Sequence, residues 1–586
     1  MPEQVSLSVG NIIKRLAPPV LIALLALLLY LPGLGGLFLL DDFSNIIENP
    51  ALHIGTISFS SLWEAAFSSN AGPLYRPVAM LSFALNYYFD RLSPVSYKAV
   101  NVGIHLATAL ALFFLTEALL KRLVVYEIAS TNRLSQRQLA ALITALWLLH
   151  PLHVSTVLYV VQRMTELAAL FSVIGVLLYV RGREMLIAGQ QRYGIMLIAL
   201  GAIGCGILAL LSKENGALLP VLLLIVEVLF FRDTRANQPL VKLVFVLLAL
   251  QAAAIFAYLL YVWTGPFSPL RGFTPTERLL TETRILFSYA GQILVPRIDQ
   301  MSLLDENTAI SRGLFEPFST AVAVIALLTL IFAALWAAGK NRATPFVFGI
   351  GWFLAGHLLE STVIPLELRF EHRNYLPSYG IIFAMGVFLN QWHPFANTRP
   401  RLKFALLAGL LISLSMQMHT RVTTWATPQN FFNHELKINP DSERAWSDFA
   451  LFFILEGKPA EALPALLKAA ELNSREVGQL IVALNIKTYE LRKEPDHQLV
   501  QEVMSRLKRH PLTAYGQECL TRYAENVLLH LDSSPQSLAT AEIILSAAAQ
   551  KNWSHPNRAK WIARVANRVK EKNLATARAD SFLSKQ

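Results

Sequence analysis

Apolar runs of roughly 18 residues or more recur along the chain as far as about residue 420, and no other feature limits its fold so tightly. That length carries a helix across a hydrocarbon core of ~30 Å. Of the 586 residues, 54% are hydrophobic and only 16% charged, where soluble chains carry about a quarter charged residues. The reading is an all-α protein in two parts. A polytopic membrane domain takes in residues 1–425, and a polar, Ala- and Leu-rich helical domain takes in 426–586.

Eleven spans are expected, at roughly 16–40, 97–120, 138–151, 164–181, 194–211, 216–231, 240–263, 317–338, 345–362, 376–391 and 403–419. The first follows Lys14 and Arg15 without a small-residue cleavage pattern, so it reads as a retained helix and not as a cleaved leader. With those two residues inside, the inside loops hold Lys121, Arg122, Arg133 and Arg137; Arg181, Arg183 and Arg192; Arg232 and Arg235; Lys340 and Arg342; and Arg399, Arg401 and Lys403. Basic inside loops obey the positive-inside rule. An odd count of spans puts the C-terminal domain outside, which in a bacterium is the periplasm. The net charge of +11 is absorbed by these loops, and no basic stripe with interleaved aromatics points to nucleic acid. Cys205 and Cys519 are too few for a thiolate metal site.

The outside segments gather the unusual residues. "LDDFSNIIENPAL" places Asp41 and Asp42 where the first apolar run ends. "PLYRPVAMLSFALNYYFD" supplies Arg76 on a segment expected to lie along the interface. "LHPLHVSTVLYVVQRMTEL" supplies His150, His153, Arg163 and Glu166. "LLSKENGALLP" supplies Lys213 and Glu214, "TERLLTETRILFSYAGQILVP" supplies Arg278, Glu282 and Arg284, and "LELRFEHRNYLP" supplies Arg369, Glu371, His372 and Arg373. Ionisable groups at membrane depth are costly unless paired or hydrated. Their recurrence at one face predicts a shared polar cavity open to the outside.

In the tail, "NPDSERAWSDFALFFILEGKPAEALPALLKAAELNS" has Gly457 at an expected turn and small residues at Ala450, Ala462 and Ala469 where two helices would pack. The pattern is that of a tetratricopeptide unit, and "FFNHELKINP" reads as the second half of an earlier one. Stacked units make a groove that binds peptides, while a domain used only for packing or assembly stays open.

Together these motifs, with "SYKAVNVGIHLATALALFF", "LLSKENGALLPVLLLIVEVLFF", "LTETRILFSYAGQILVP" and "FEHRNYLPSYG", occur in family order and resemble the TMTC-type proteins. Those are membrane O-mannosyltransferases of the glycosyltransferase C superfamily with appended tetratricopeptide repeats; pilin glycosyltransferases are bacterial relatives of the architecture. The resemblance implies a sugar donor on polyprenyl phosphate and an acceptor Ser or Thr hydroxyl on an exported protein, such as a pilin. It also implies a catalytic acid in the first outer loop, and no cofactor beyond the lipid-linked substrate. A bacterial inner-membrane location with a periplasmic site follows. The chain departs from the family after His153, where Gln162-Arg163-Met164-Thr165-Glu166 replaces a Gly-Arg followed by a Lys or Ala and an Asp.

The chemistry needs a carboxylate base near the attacking hydroxyl and fixed positive charge near the departing phosphate. Asp41 is expected as the base, with Asp42 positioning it or the acceptor. Arg163, Lys213 and Arg373 are the leading phosphate candidates, followed by Arg76 and His153. Glu166, Glu214, Glu371 and His372 would orient those cations or bind sugar hydroxyls. Each has a plainer rival: a helix cap or solvated loop for the Asp pair, structural caps for His150 and His153, a simple ion pair for Lys213–Glu214, and lipid phosphates facing Arg369 and Arg373. No compact ligand spacing supports a metal. Two other function classes remain open, a sugar transferase acting on lipid or polysaccharide and a non-enzymatic transporter or scaffold.

Overall fold

In the computed structural model the described residues are 9–124, 134–232, 239–265, 272–304, 308–338, 344–392 and 398–583, and all regular secondary structure among them is helical. Arg133, Arg235, Lys340 and Arg342 lie outside the described residues, as do the side chains of Lys14 and Arg15. The chain divides into two compact units, Met1–Leu303 with Thr308–Phe431, and Leu304–Asn307 with Phe432–Gln586.

The first unit contains α1 (Val9–Tyr30), α2 (Phe59–Ala66), α3 (Pro77–Asp90), α4 (Pro94–Val124), α5 (Gln136–Leu148), α6 (Val154–Leu158), α7 (Arg163–Ile187), α8 (Gln191–Ala199), α9 (Cys205–Leu210), α10 (Leu219–Phe230), α11 (Pro239–Thr264), α12 (Pro275–Leu294), α13 (Ser319–Ala337), α14 (Thr344–Gly356), α15 (Ser378–Gln391) and α16 (Pro400–Thr424). Among the described residues, six helical stretches are long and apolar enough to cross a membrane: Pro94–Leu123, Val160–Ile187, Gln191–Leu210, Val241–Thr264, Ser319–Ala337 and Pro400–Thr424. A seventh arises if Gln136–Leu148 and Pro151–Leu158, bent by 48°, count as one span. Of the eleven spans expected, six or seven are met on length and composition among the described residues. Three of the others fall on short helices: α10, α14 and α15 have 12, 13 and 14 residues. At 1.5 Å per residue such helices fall well short of the core thickness.

Two local features explain helix ends near the polar segments. Thr274 and Glu277 form a reciprocal capping box at the start of α12, the Thr274 hydroxyl accepting from the Glu277 N–H and the Glu277 carboxylate from the Thr274 N–H. α12 is not among the candidate spans: it carries Glu277, Arg278, Glu282 and Arg284, of which Arg278 and Glu282 are fully buried. Deeper in the unit, Glu227 of the otherwise apolar α10 pairs at 2.8 Å with Arg183 of α7 and accepts from the Tyr179 hydroxyl at 2.9 Å. This is how an interior of low polarity tolerates charge. The segment expected along the interface is α3, and it is half sunk: Met80, Phe83 and Ala84 are buried, while Phe89 is exposed.

In the second unit, helices Glu443–Leu455 and Pro459–Leu472 form a hairpin. Gly457 turns it with φ +71°, a conformation open to glycine at little cost. Ala450, Ala462 and Ala469 are fully buried. Helices Gly478–Asn485, His497–Arg509, Ala514–Leu529, Pro535–Ala549 and Arg558–Leu583 follow. Leu480, Val503, Leu520, Ile544 and Val565 join one core. Arg506 closes the hairpin's far end by donating to the carbonyls of Ala470, Asn473 and Glu476. Both cysteines are free and buried.

Candidate active site

The two adjacent acids have opposite surroundings. The chain leaves α1 through a turn at Leu31–Gly33 and reverses at Leu40, whose φ is +42°. Asp42 is fully buried. Its Oδ2 accepts from the Leu39 N–H at 2.9 Å and its Oδ1 from the Val161 N–H at 2.6 Å. Burial pushes its carboxyl up; those two N–H groups and Lys98 hold the rise back, leaving it at about 7. Asp41 is exposed. Its backbone N–H donates to the Tyr159 hydroxyl at 2.9 Å, while no hydrogen bond or ion pair among the described residues ties down its carboxylate. One acid is thus an anchor, and its neighbour is presented to solvent on an anchored loop.

Several of the expected cations do come together, each already engaged. Lys213 Nζ lies 2.7 Å from Glu360 Oε1 and donates to Thr165 Oγ1 at 3.0 Å. Glu282 sits between two guanidinium groups, 2.8 Å from Arg278 and 3.4 Å from Arg373. Burial raises the Glu282 carboxyl and the two arginines draw it back, to about 7. Arg373 also donates to the carbonyls of Leu368, at 2.7 Å, and Glu367. Burial, then the Lys213 charge, drives the His372 pKa well below its ordinary value, so its ring is neutral. Thr165, Ser172, Asn215, His372, Arg373 and Leu376 are among the residues lining a small cavity. Its lining is mixed, with Ala168, Ala169 and Leu218 beside the polar side chains.

Arg76 lies at the edge of this group. It holds Glu214 through Nε at 3.1 Å and Nη2 at 2.8 Å, and Nη2 also donates to the Ala71 carbonyl. Thus Glu214 pairs with Arg76, and Lys213 pairs with Glu360; the simple Lys213–Glu214 ion pair, the plainer alternative for these two residues, does not form. Glu371 binds Arg421 at 3.2 Å.

Of the expected site residues, His372 and Arg373 line the cavity, and Arg163, His153 and Glu166 are packed into the interior. Arg163 is fully buried and acts as an internal strut. It donates to Asn101 Oδ1 at 2.8 Å, the Tyr97 carbonyl at 2.8 Å and the Ser82 carbonyl at 3.1 Å, and lies over the Phe83 ring. His153 is packed among the rings of Trp147, His150 and Tyr375, its Nε2 3.3 Å from Ser378 Oγ. Glu166 is fully buried, with neither oxygen hydrogen-bonded among the described residues. Sequence reasoning assigned no role to Lys98 and Arg421. Each is a lone cation within a turn of the end of an apolar helix, and that position was the available signal. Among the described residues, no three His, Cys, Asp or Glu side chains form a group able to hold a metal ion.

No protein-family model matches the chain, and no solved structure does. Curated relatives do match. The chain is 21% identical over 493 residues to "Protein O-mannosyl-transferase Tmtc3" of Drosophila melanogaster, covering 75% of this chain and 53% of that protein. It is 23% identical over 496 residues to human "Protein O-mannosyl-transferase TMTC3", covering 75% and 50%. A shorter match, 30% identical over 192 residues, is to human "Protein O-mannosyl-transferase TMTC4", covering 31% and 25%. The chain therefore spans about half, or less, of the length of these relatives.

Proposed function

The chain is a relative of the TMTC-type protein O-mannosyl-transferases, and from that premise we propose that it is a multi-pass membrane glycosyltransferase. It moves a sugar from a polyprenyl-phosphate donor to a Ser or Thr hydroxyl of an exported protein. The reaction takes place on the outer face, periplasmic in a bacterial inner membrane. The observation that carries the reading is the asymmetry of the acid pair. Asp41 stands exposed with a free carboxylate, and Asp42 beneath it locks the loop to Val161.

Asp41 takes the hydroxyl proton as the hydroxyl oxygen attacks the anomeric carbon. The bond from that carbon to the phosphate oxygen breaks, and the lipid phosphate leaves with the electron pair. Direct attack inverts the anomeric centre. Asp42 is a positioning residue, because both of its oxygens are engaged by backbone N–H groups. Tyr159 assists it by holding the Asp41 backbone. The mixed lining of the cavity near His372 and Arg373 suits a substrate that is polar at one end and a hydrocarbon at the other. A peptide-binding role for the second unit's helical hairpin, as in tetratricopeptide repeats, fits a protein acceptor.

The test is an Asp41→Asn replacement in the native host, read by intact mass of exported surface proteins. Loss of the glycoforms supports the reading, and unchanged glycoforms refute it. A changed surface glycan with no protein glycoform in the wild type would reassign the acceptor to lipid or polysaccharide.

A further inference from the structure

Among the described residues, buried hydrogen-bond donors on three side chains near the Asp41 loop are left without a partner. They are Lys98 Nζ, Arg421 Nε and Nη1, and Trp425 Nε1. Lys98 and Arg421 are fully buried, and Trp425 is 2% exposed. Lys98 stands in the first turns of α4. Arg421 occupies the last turn of α16, and Trp425 follows directly after that helix.

Gly36 shows that these elements meet. A Cβ placed on it would fall 2.0 Å from the Trp425 carbonyl oxygen and 2.8 Å from Lys98 Nζ. The close approach of the three needs a residue with no side chain. The Arg421 guanidinium lies 5.8 Å from the Trp425 ring centroid. Glu371 grips Arg421 by Nη2 alone, at 3.2 and 3.3 Å, which orients the fork and leaves its Nε and Nη1 without a partner among the described residues. Asp41 follows Gly36 by five positions.

A buried cation with unused donors is costly unless an anion fills the place. The nearby carboxylates are spoken for: Asp42 by two backbone N–H groups, Glu371 by Arg421 Nη2. The contrast with the other cations is sharp. Arg163 spends its donors on Asn101, Tyr97 and Ser82. Arg373 spends its own on Glu282, Leu368 and Glu367. Lys213 is held by Glu360 and Thr165. Those residues brace the site, whereas Lys98, with only the Asp42 charge near it, and Arg421 keep donors without a hydrogen-bond partner among the described residues. The set is an ammonium on α4 together with one edge of a guanidinium and an indole N–H at the end of α16, four unpartnered donor atoms in all, and the two oxygens of one carboxylate do not match that number. A tetrahedral phosphate with several non-bridging oxygens does.

We propose that Lys98 and Arg421, flanking Trp425, receive a phosphate group, and that it is the phosphate of the lipid donor. The inference rests on the proposed transferase reading and adds the residues that would offset the leaving group's charge.

The test uses the full chain in nanodiscs, with farnesyl phosphate as probe and farnesol and inorganic phosphate as comparators. Binding is read by calorimetry. Farnesyl phosphate is expected to bind and farnesol to bind at least tenfold more weakly. Lys98→Gln and Arg421→Gln are each expected to weaken farnesyl phosphate at least tenfold. If either Gln variant fails to fold, Arg421→Lys keeps the charge, loses the fork and is expected to weaken binding measurably.

Wild-type affinity in folded variants overturns the assignment, as does farnesol binding equal to farnesyl phosphate. Inorganic phosphate binding as tightly as farnesyl phosphate overturns the lipid source. The two readings fail separately. Glycoforms that persist in Asp41→Asn while the Gln variants lose the probe refute the transferase mechanism alone. Glycoforms lost in Asp41→Asn while the Gln variants bind normally refute this inference alone.

Discussion

The Oδ1 of Asp42 accepts a 2.6 Å hydrogen bond from the backbone N–H of Val161, 119 positions further along the chain. This one contact ties the loop after α1 to the entrance of α7. It determines which of two adjacent acids faces inward, so replacements at the two positions are expected to separate activity from stability. Asp41→Asn should leave the melting temperature within a degree or two of the wild type and reduce transfer by roughly 10²–10⁴-fold, the usual worth of a general base. Asp42→Ala should orphan the N–H groups of Leu39 and Val161, at about 1–3 kcal/mol each, and lower the melting temperature by several degrees. Thermal unfolding in detergent beside glycoform mass checks both outcomes. Equal destabilisation by the two replacements would count against the division of labour.

The same burial makes the loop sensitive to pH. The folded-state pKa of Asp42, about 7, lies above the ordinary carboxylate range. Between about pH 4 and 7 the folded chain therefore holds a proton that the unfolded chain has lost. Stability falls with rising pH across that window and levels off above 7. The full rise corresponds to about 4 kcal/mol, an order-of-magnitude figure. In Asp42→Asn this component is absent. The expected result is a wild-type melting temperature that drops relative to the variant's between about pH 4 and 7; parallel curves would contradict it. Because the Asp42 anchor favours its neutral form below 7, any loosening of the loop on ionisation would show as a pH step in transfer near the same value.

Arg163 should behave as a structural residue. Arg163→Gln removes the donors that satisfy Asn101 Oδ1 and the carbonyls of Tyr97 and Ser82. With several buried acceptors orphaned at about 1–3 kcal/mol each, the expected outcome is a large fall in melting temperature and in the yield of monodisperse protein. A well-folded variant whose only defect is weaker donor binding would return Arg163 to the phosphate site.

The contrast among these residues shows what sequence carries and what it does not. Long apolar runs locate the helices because hydrocarbon length and helix rise act over consecutive residues. Gly457 and the buried alanines of the hairpin are legible for the same reason, since turn and close packing leave a local pattern. The partners of buried charges leave no such trace. Lys213 sits beside Glu214 in the chain yet pairs with Glu360, and Glu214 pairs with Arg76. Which of Asp41 and Asp42 turns inward depends on the positive φ of Leu40 and on an N–H far along the chain. Lys98 and Arg421 were hidden because each is a single cation at a helix end, where snorkelling to the interface is the ordinary expectation.

In the second unit, Gly457→Ala is expected to cost about 1 kcal/mol or slightly more, because a Cβ is strained at φ +71°. Nothing lies within 4 Å of where that Cβ would be, so the cost comes from the backbone and not from a clash. Hydrogen exchange should speed up across 443–472 and stay unchanged in the first unit's helices. Protection equal to the wild type would mean the turn tolerates a side chain.

The Arg76–Glu214 pair offers the last test, because it links two segments 138 positions apart at the rim of the candidate site. Its side chains are 14% and 28% exposed, so it is neither a solvated surface pair nor a dry one. Exposed pairs contribute at most about 1 kcal/mol. Two-point guanidinium geometry and partial burial argue for a coupling near or somewhat above that limit. A double-mutant cycle with Arg76→Gln and Glu214→Gln should return about 1–2 kcal/mol of coupling, measured by thermal unfolding. Salt should weaken it only modestly, since partly buried charges are poorly screened. If the pair positions the first outer loop against the segment after α9, both single variants should also reduce transfer, and the double variant should reduce it no further. Additive losses in transfer would mean the two residues act on the reaction independently and not through their pairing.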